Sequence, residues 1–343
     1  RNRHPMPPIG YYVHHHGAGH AHRFGKIRSH CEAELVPISE KPMWGGLRLP
    51  SDVPPHPIDP TAGGSLHWAP IDVARMSRRS QVIAEWIVAH QPRGFVIDVS
   101  VEIAILCRLF GVPTVVVRQH GDRTDAGHEL AYRSARRLLA PFPAALEHHS
   151  TPPWIVTKTE YSGFVMSDRP HRKVAVQRPV PDLRDVVVLW GTGGGQFAAD
   201  DLASLRAAVA PHRVWCAGRF DGIANSEDDA SVVTCGWVSD VGPLLINRPV
   251  VVASAGNNAV ADVAGAGSPL VVVPQQRPFD EQLRHAQCLE AVGAASIVFS
   301  GSSTATWNHA LATARSRRDV LSSLADRDGA AEAARIISSA FPC

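Results

Sequence analysis

Short runs of apolar, mostly β-branched residues alternate along the chain with longer stretches of helical period. The runs are IGYYVH, AELVPI, GFVIDV, PTVVVRQ and WIVTK in the first half, then DVVVLWG, HRVWCAG, PVVVASAG, PLVVVP and ASIVFS. Between them, apolar spacing predicts helices such as those over 74–90 and 200–209. Strands that are apolar at consecutive positions, instead of alternating, belong to parallel sheets covered on both faces. The pattern therefore predicts the α/β class.

The same pattern runs through twice. Each half opens on an apolar strand, a Gly-rich turn and a helix, with HHHGAGH in the first turn and WGTGGGQF in the second. A Pro-rich stretch near 177–185 reads as the linker between them. At 343 residues the chain exceeds what one core usually supports. Two Rossmann-like domains are expected, over 1–178 and 179–343, facing each other across a cleft. Ligands of such sheets sit beyond the carboxyl ends of the strands.

Composition narrows the choice only a little. Apolar residues at 45% and charged residues at 19% suit an ordinary globular protein, and a net charge of +2 gives no reason to expect nucleic acid as a partner. The six cysteines show no C-x-x-C pair and read as thiols of a reducing compartment. No apolar run approaches the ~20 residues of a membrane span. The expected location is cytoplasmic, or the inner face of a membrane.

Neither Gly-rich turn is a dinucleotide fingerprint. G-x-G-x-x-G would need glycine where His22 or Gln196 stands, and no P-loop G-K-[ST] occurs. What remains is a glycine turn feeding a helix N-terminus, whose free N–H groups and dipole favour an anion. The histidines around the first turn (His14, His15, His16, His20 and His22) do not form a metal site by spacing. Neighbours in an extended segment alternate faces, so His14 and His16 at most share a side. No metal is expected. The D-x-D of Asp326 to Asp328 lies in a polar turn between terminal helices and reads as a cap.

Polar chemistry gathers at several expected strand ends. Asp98 closes FVIDV, where it could orient a histidine, and Arg118, His120, Asp122, Arg123, Asp125 and His128 follow PTVVV. This second group, RQHGDRTDAGHELAYRSARRLLAPFP over 118–143, is placed to line an acceptor. Asp98 and His120 join His20 as candidate catalytic residues. The Pro- and Gly-rich stretch 40–70 breaks the rhythm and reads as a loop overhanging the cleft.

The most specific block is 250–295. A strand ends at Ser254, and Gly256, Asn257 and Asn258 begin a helix that carries Asp262; Pro269 leads into a strand ending Val273-Pro274. Glu281-Gln282 then opens another helix, and Gly293-Ala294-Ala295 follows. In this succession the chain resembles the donor-binding half of the GT-B nucleotide-sugar glycosyltransferases, most closely the MurG-like, UDP-sugar-dependent group. The resemblance extends more weakly to both Gly-rich turns and to VTCGWVSDVGPLL.

The resemblance implies a GT-B fold, with the arrangement allowing the last helix to pack back on the N-terminal domain. It implies a diphosphate lined by Gly193, Gly194, Gly256, Asn257 and Asn258, and a base held near Trp237 and Val238. Asp262 would take the ribose hydroxyls, and Glu281 and Gln282 the donor sugar. Gly17, Gly19 and His20 match the family's N-terminal glycine turn and histidine. Two positions depart from the family: Glu281 replaces an amide, and His285 stands where asparagine is common.

The implied reaction is inverting and metal-independent, with no cofactor beyond the nucleotide-sugar substrate. The acceptor would be a glycan, glycolipid or small molecule. A hydroxyl attacks the anomeric carbon, a step a base accelerates by roughly 10²- to 10⁴-fold, and a histidine with pKa near ~6.5 suits the task. His20 is the first candidate. A nucleotide-sugar hydrolase and a non-catalytic nucleotide-sugar-binding protein on the same scaffold are the alternatives.

Overall fold

The computed structural model describes residues 6–14, 19–166, 179–191, 193–218, 220, 231–325 and 328–342. His15, His16, Gly17 and Asp326 therefore lie outside the described residues.

The first sheet holds β1 (Ile9–Tyr12), β2 (Leu35–Ser39), β3 (Leu47–Arg48), β4 (Gly94–Asp98), β5 (Thr114–Val117), β6 (Arg137–Ala140) and β7 (Thr159–Tyr161). Its order is β3-β2-β1-β4-β5-β6-β7, and every pairing is parallel. The second holds β8 (Val186–Trp190), β9 (Val214–Gly218), β10 (Val232–Gly236), β11 (Val250–Ala253), β12 (Leu270–Val272) and β13 (Ser296–Ile297), in order β10-β9-β8-β11-β12-β13, again all parallel. The Val-rich inner strands β5, β8, β11 and β12 are buried throughout, as parallel strands with helices on both faces must be, while the edge strand β10 is half-buried.

Helices α1 (Gly19–His30), α2 (Val73–His90), α3 (Val101–Leu109), α4 (Ala126–Ser134) and α5 (Pro153–Lys158) belong to the first half. The second half contributes α6 (Ala199–Val209), α7 (Gly242–Leu245), α8 (Asn257–Ala266), α9 (Glu281–Ala291), α10 (Thr304–Ser323) and α11 (Gly329–Ala340). The last of these crosses back. Ile336, Ile337 and Phe341 are buried in the apolar cluster formed by Ile9, Tyr11, Phe24, Ile27 and Val96, and the Phe341 carbonyl accepts from Arg93 at 3.1 Å.

Sequence pattern and structure differ at several elements: β3 lies inside the stretch 40–70 expected as a loop, β10 falls outside the ten apolar runs, and two further segments change type. WIVTK, expected as a strand, is helix α5, and the strand begins only at Thr159. Pro153 sits in the first turn, where its missing N–H costs nothing and its fixed φ favours a helix. Conversely, RLLA within the polar cluster 118–143 is strand β6, an apolar run too short to stand out beside Arg133, Arg136 and Arg137.

Strand order fixes where a ligand can lie. In the first sheet the chain reverses direction of growth between β1 and β4, and in the second between β8 and β11. At such a switch point the two following connections leave on opposite faces and open a crevice at the strands' carboxyl ends. The first crevice is bounded by the turn into α1 and by Asp98. The second is bounded by Gly191, Gly193, Gly194 and Gly195 and by the turn into α8.

Candidate active site

The two crevices meet. Gly19 begins α1 so close to α8 that a Cβ on it would lie 2.8 Å from Asn258 Nδ2. Gly256 caps α8 with no side chain, and neither α1 nor α8 has an acidic residue in its first turn. Two helix N-termini of opposite halves thus converge on one space. Free N–H groups and the positive end of a helix dipole suit a phosphate there.

On the first side, His20 and Asp98 form a pair. His20 Nδ1 lies 3.0 Å from Asp98 Oδ2, with 20% of the His20 side chain exposed and none of Asp98. Arg23 Nη2, one turn along α1, donates to both oxygens of Asp98 at 2.7 and 2.9 Å. Burial alone would raise the Asp98 pKa, but the Arg23 charge and His20 hold its carboxyl well below the usual carboxylate range. His20 Nδ1 also lies 3.0 Å from Arg23 Nη2, so Asp98 and Arg23 share that ring nitrogen; with Nδ1–H turned to the ionised carboxylate, Nε2 is the nitrogen left to accept a proton. Val99 follows at φ 65, a left-handed conformation costly for a β-branched residue. That bend turns the chain so that Ser100 caps α3 directly after Asp98.

His120, the third catalytic candidate, belongs elsewhere. Its ring is buried and stacked between Phe142 and His285, with centroids 3.9 Å from each. Burial, followed by the nearby His285, pushes its pKa well down. Both ring faces are covered by these rings, and its Nε2 is buried without a hydrogen-bond partner instead of paired with His20 or Asp98. We therefore assign His120 to the contact between the halves. His285 is its counterpart: its Nδ1 lies 2.9 Å from the Ala255 carbonyl and pins the turn before α8. Burial lowers the His285 pKa to about 4 despite that bond.

On the second side, Gly193 and Gly194 face the segment after β12. A Cβ on Gly194 would lie 2.1 Å from Gln275 Oε1, and one on Gly193 would lie 3.2 Å from Arg277 Nη2. Gln275 Nε2 also donates to the Gly195 carbonyl at 2.8 Å. Arg277 thus brings a guanidinium to the glycine turn, which the sequence reading did not single out. Asn257 Nδ2 donates to the Pro141 carbonyl across the halves at 2.9 Å. Asp262 lies in the second turn of α8, half-buried. Trp237, after β10, is 62% exposed, whereas Val238 packs on the core.

Glu281 and Gln282 are placed differently from the expectation of two residues presented to a sugar. Gln282 is buried, and its Oε1 accepts from the Gln275 backbone N–H at 2.8 Å, so it braces the loop. Glu281 Oε2 accepts from Arg123 Nη2 at 2.6 Å, across the cleft. The turn before them holds Phe279 and Asp280 at φ 60 and 52, both strained. The cluster after β5, read as acceptor-lining, in fact grips this turn. The Asp122 N–H donates to the Phe279 carbonyl at 2.6 Å.

Around the Phe279 ring stand His67 and His128, at 5.0 and 4.8 Å between centroids. His67 comes from the loop after β3, which is tied to α3 by Glu102 accepting from the N–H groups of His67 and Trp68. Asp125 bridges the two histidines, 2.8 Å from His67 Nε2 and 2.5 Å from His128 Nδ1. Among the described residues, these three have the spacing of metal ligands. However, Arg123 Nη1 lies 3.2 Å from His128 Nε2. A metal on Nδ1 would put a proton on Nε2, facing the guanidinium donor to donor, so the set fits hydrogen bonding better than a cation.

The chain and its fold are similar to those of known proteins. Residues 224–337 match the model of the glycosyltransferase family 28 C-terminal domain. A UDP-N-acetylglucosamine–N-acetylmuramyl-(pentapeptide) pyrophosphoryl-undecaprenol N-acetylglucosamine transferase of Yersinia pestis is 26% identical over 270 residues, 74% of this chain and 71% of its own length. Among solved structures, Acinetobacter baumannii MurG aligns with TM-score 0.63 at 14% identity, covering 96% of this chain and 99% of its own. Arabidopsis thaliana UGT89C1, complexed with UDP, aligns with TM-score 0.71 at 15% identity over 98% of this chain and 100% of its own.

Proposed function

We propose that this chain, a MurG-like glycosyltransferase of GT-B fold, moves a sugar from a UDP-sugar to an acceptor hydroxyl with inversion and without a metal ion. The observation that carries the reading is the juxtaposition at the two switch points. The His20–Asp98 pair at the end of one sheet faces the uncapped start of α8 at the end of the other.

In this reading His20 Nε2 takes the proton of the acceptor hydroxyl as its oxygen bonds to the anomeric carbon. The bond from that carbon to the diphosphate oxygen breaks, and UDP leaves on the opposite face. The imidazolium that forms is held by ionised Asp98. Negative charge growing on the diphosphate meets the N–H groups of α8 and the nearby Arg277 guanidinium, which supports a metal-free departure. Asp262 is assigned to the ribose hydroxyls and Trp237 with Val238 to the base, by their positions along the donor half.

A lipid-linked acceptor also suits the chain. Among the described residues no helix is long and apolar enough to cross a membrane, yet Ile58, Ile71 and Val73 are exposed together with Arg78 near the start of α2. Such an exposed apolar surface, carrying Arg75 and Arg78 as well as Asp59 and Asp72, suits peripheral contact with a lipid face. Sedimentation with anionic vesicles tests this, and loss of binding in Val73→Glu is the expected result.

The reaction is tested by UDP release from UDP-sugars with and without added acceptor. Acceptor-dependent release that falls at least ~10²-fold in His20→Ala is expected. Undiminished release in that variant would remove His20 from its role, and release needing no acceptor would point to hydrolysis.

A further inference from the structure

Resting on that reading of the donor site, we propose that Arg123 is a positioning residue for the donor sugar, acting through Glu281 from the opposite half of the molecule. The side chain is buried, and each of its three nitrogens has a partner. Its Nε donates to the His120 carbonyl at 3.0 Å, its Nη1 faces His128 Nε2 at 3.2 Å, and its Nη2 donates to Glu281 Oε2 at 2.6 Å. The guanidinium also sits 5.2 Å from the centre of the Phe279 ring.

This one fork therefore reads both sides of the cleft. From its own half it is aimed by the backbone of the segment after β5 and by the His128–Asp125–His67 chain. From the other half it holds the residue that opens α9 and the aromatic ring two positions before it. Phe279 and Asp280 are both in the left-handed region, which non-glycine residues adopt only where the surroundings impose it. Their shape is imposed by the first half: the Asp122 N–H bonds to the Phe279 carbonyl, and Gly121, at φ 114, leaves no room there for a Cβ.

The consequence concerns the sugar and not the nucleotide. Arg123 hydrogen-bonds to neither the start of α8 nor the Gly193–Gly194 turn; its link toward α8 is indirect, through the backbone of His120, whose ring stacks on His285, so a diphosphate can bind without it. Glu281 differs. Its carboxylate accepts hydroxyl hydrogen bonds only where Arg123 holds it, and the ion pair offsets the cost of keeping that charge in the cleft. Sugar recognition is then coupled to approach of the two halves, and through His67 to the long loop after β3.

The test compares UDP with UDP-glucose and UDP-N-acetylglucosamine on the full chain. Calorimetric titration gives the Kd of each, and UDP release gives KM and kcat. For Arg123→Ala we expect KM for the better UDP-sugar to rise at least tenfold while the Kd for UDP stays within twofold. Glu281→Gln should show the same split, and the double variant should be no worse than Arg123→Ala alone, because both remove one interaction.

Arg123→Lys keeps the charge without the fork and should raise KM by a smaller factor, again with UDP unchanged. It carries the comparison if Arg123→Ala does not fold. Equal loss of UDP and UDP-sugar affinity would mean a merely structural role, and unchanged KM in a folded Arg123→Lys together with additive single variants would equally overturn the proposal. Failure of the wild-type chain to bind UDP or either sugar nucleotide is a separate outcome: it would remove the donor site itself, and the proposal with it.

Discussion

Asp98→Asn separates the two partners that this carboxylate serves. Asp98 is fully buried, with Arg23 Nη2 at 2.7 and 2.9 Å and His20 Nδ1 at 3.0 Å. The amide keeps the size and one accepting oxygen but leaves the buried Arg23 charge without a counter-charge. Breaking a buried pair on one side costs about 3–5 kcal/mol, a large share of the ~5–15 kcal/mol by which domains are stable. At ~2–4 °C per kcal/mol for a domain of this size, the melting temperature should fall by roughly 6–20 °C, toward the lower end because Asn still accepts one bond. The imidazolium formed at His20 loses its stabilising charge, so kcat should fall by about 10²- to 10⁴-fold.

The double variant Asp98→Asn/Arg23→Gln removes both charges. Neutralising both members of a buried pair is far less costly than stranding one. Most of the melting temperature should return while turnover stays low. Differential scanning calorimetry with UDP-release kinetics reads both effects. An Asp98→Asn protein that melts within ~2 °C of the wild type and keeps its kcat would refute the reasoning, as would a double variant that regains activity with its stability.

Acid should loosen the contact between the halves. Burial pushes His285 to about 4, and burial together with Arg123 pushes His128 to about 4. Between that value and the ordinary ~6.5, the unfolded chain binds protons that the folded one refuses, so stability is full above ~6.5 and falls as pH drops, by up to ~1.4 kcal/mol per pH unit for each histidine. Melting curves from pH 7.5 to 4.5 check this, and His285→Gln should flatten them; a slope unchanged by that substitution would count against it. Gly194→Ala places a methyl where Gln275 Oε1 now lies, at 2.1 Å. Displacing that side chain should raise KM for the donor severalfold and leave the melting temperature within ~2 °C, as steady-state kinetics beside a thermal melt would show.

Much of the fold is legible in the sequence because parallel strands buried on both faces must be apolar at consecutive positions. All ten apolar runs but WIVTK become strands, and there Pro153 at a helix start outweighs the β-branched residues after it. The switch-point residues are legible for a related reason: Asp98 closes a strand, and Gly19, Gly194 and Gly256 lie in the turns or helix starts that follow strands visible in the pattern.

Side-chain partners across the cleft are not legible in this way. Arg123 and Glu281 stand 158 positions apart, and His120 and His285 stack although no spacing links them. In the sequence each stands alone at its own strand or helix end. The left-handed Phe279–Asp280 turn also carries little signal, since Asp tolerates that conformation but Phe does not favour it. What the sequence does offer is the density of charge at 118–128, which marks a functional segment without saying which ligand it serves.

The account stands most directly on nucleotide binding at the facing switch points. Thermal unfolding of the intact chain in EDTA, with UDP, TDP, GDP and CDP and their sugar conjugates, measures it. Ligand at ~100 times its Kd adds about 2.7 kcal/mol to the stability of the state that binds it. The account predicts a clear rise in melting temperature with UDP and at least one UDP-sugar, without any divalent ion. Stabilisation by none of the nucleotides, or only after a metal is restored, would contradict it.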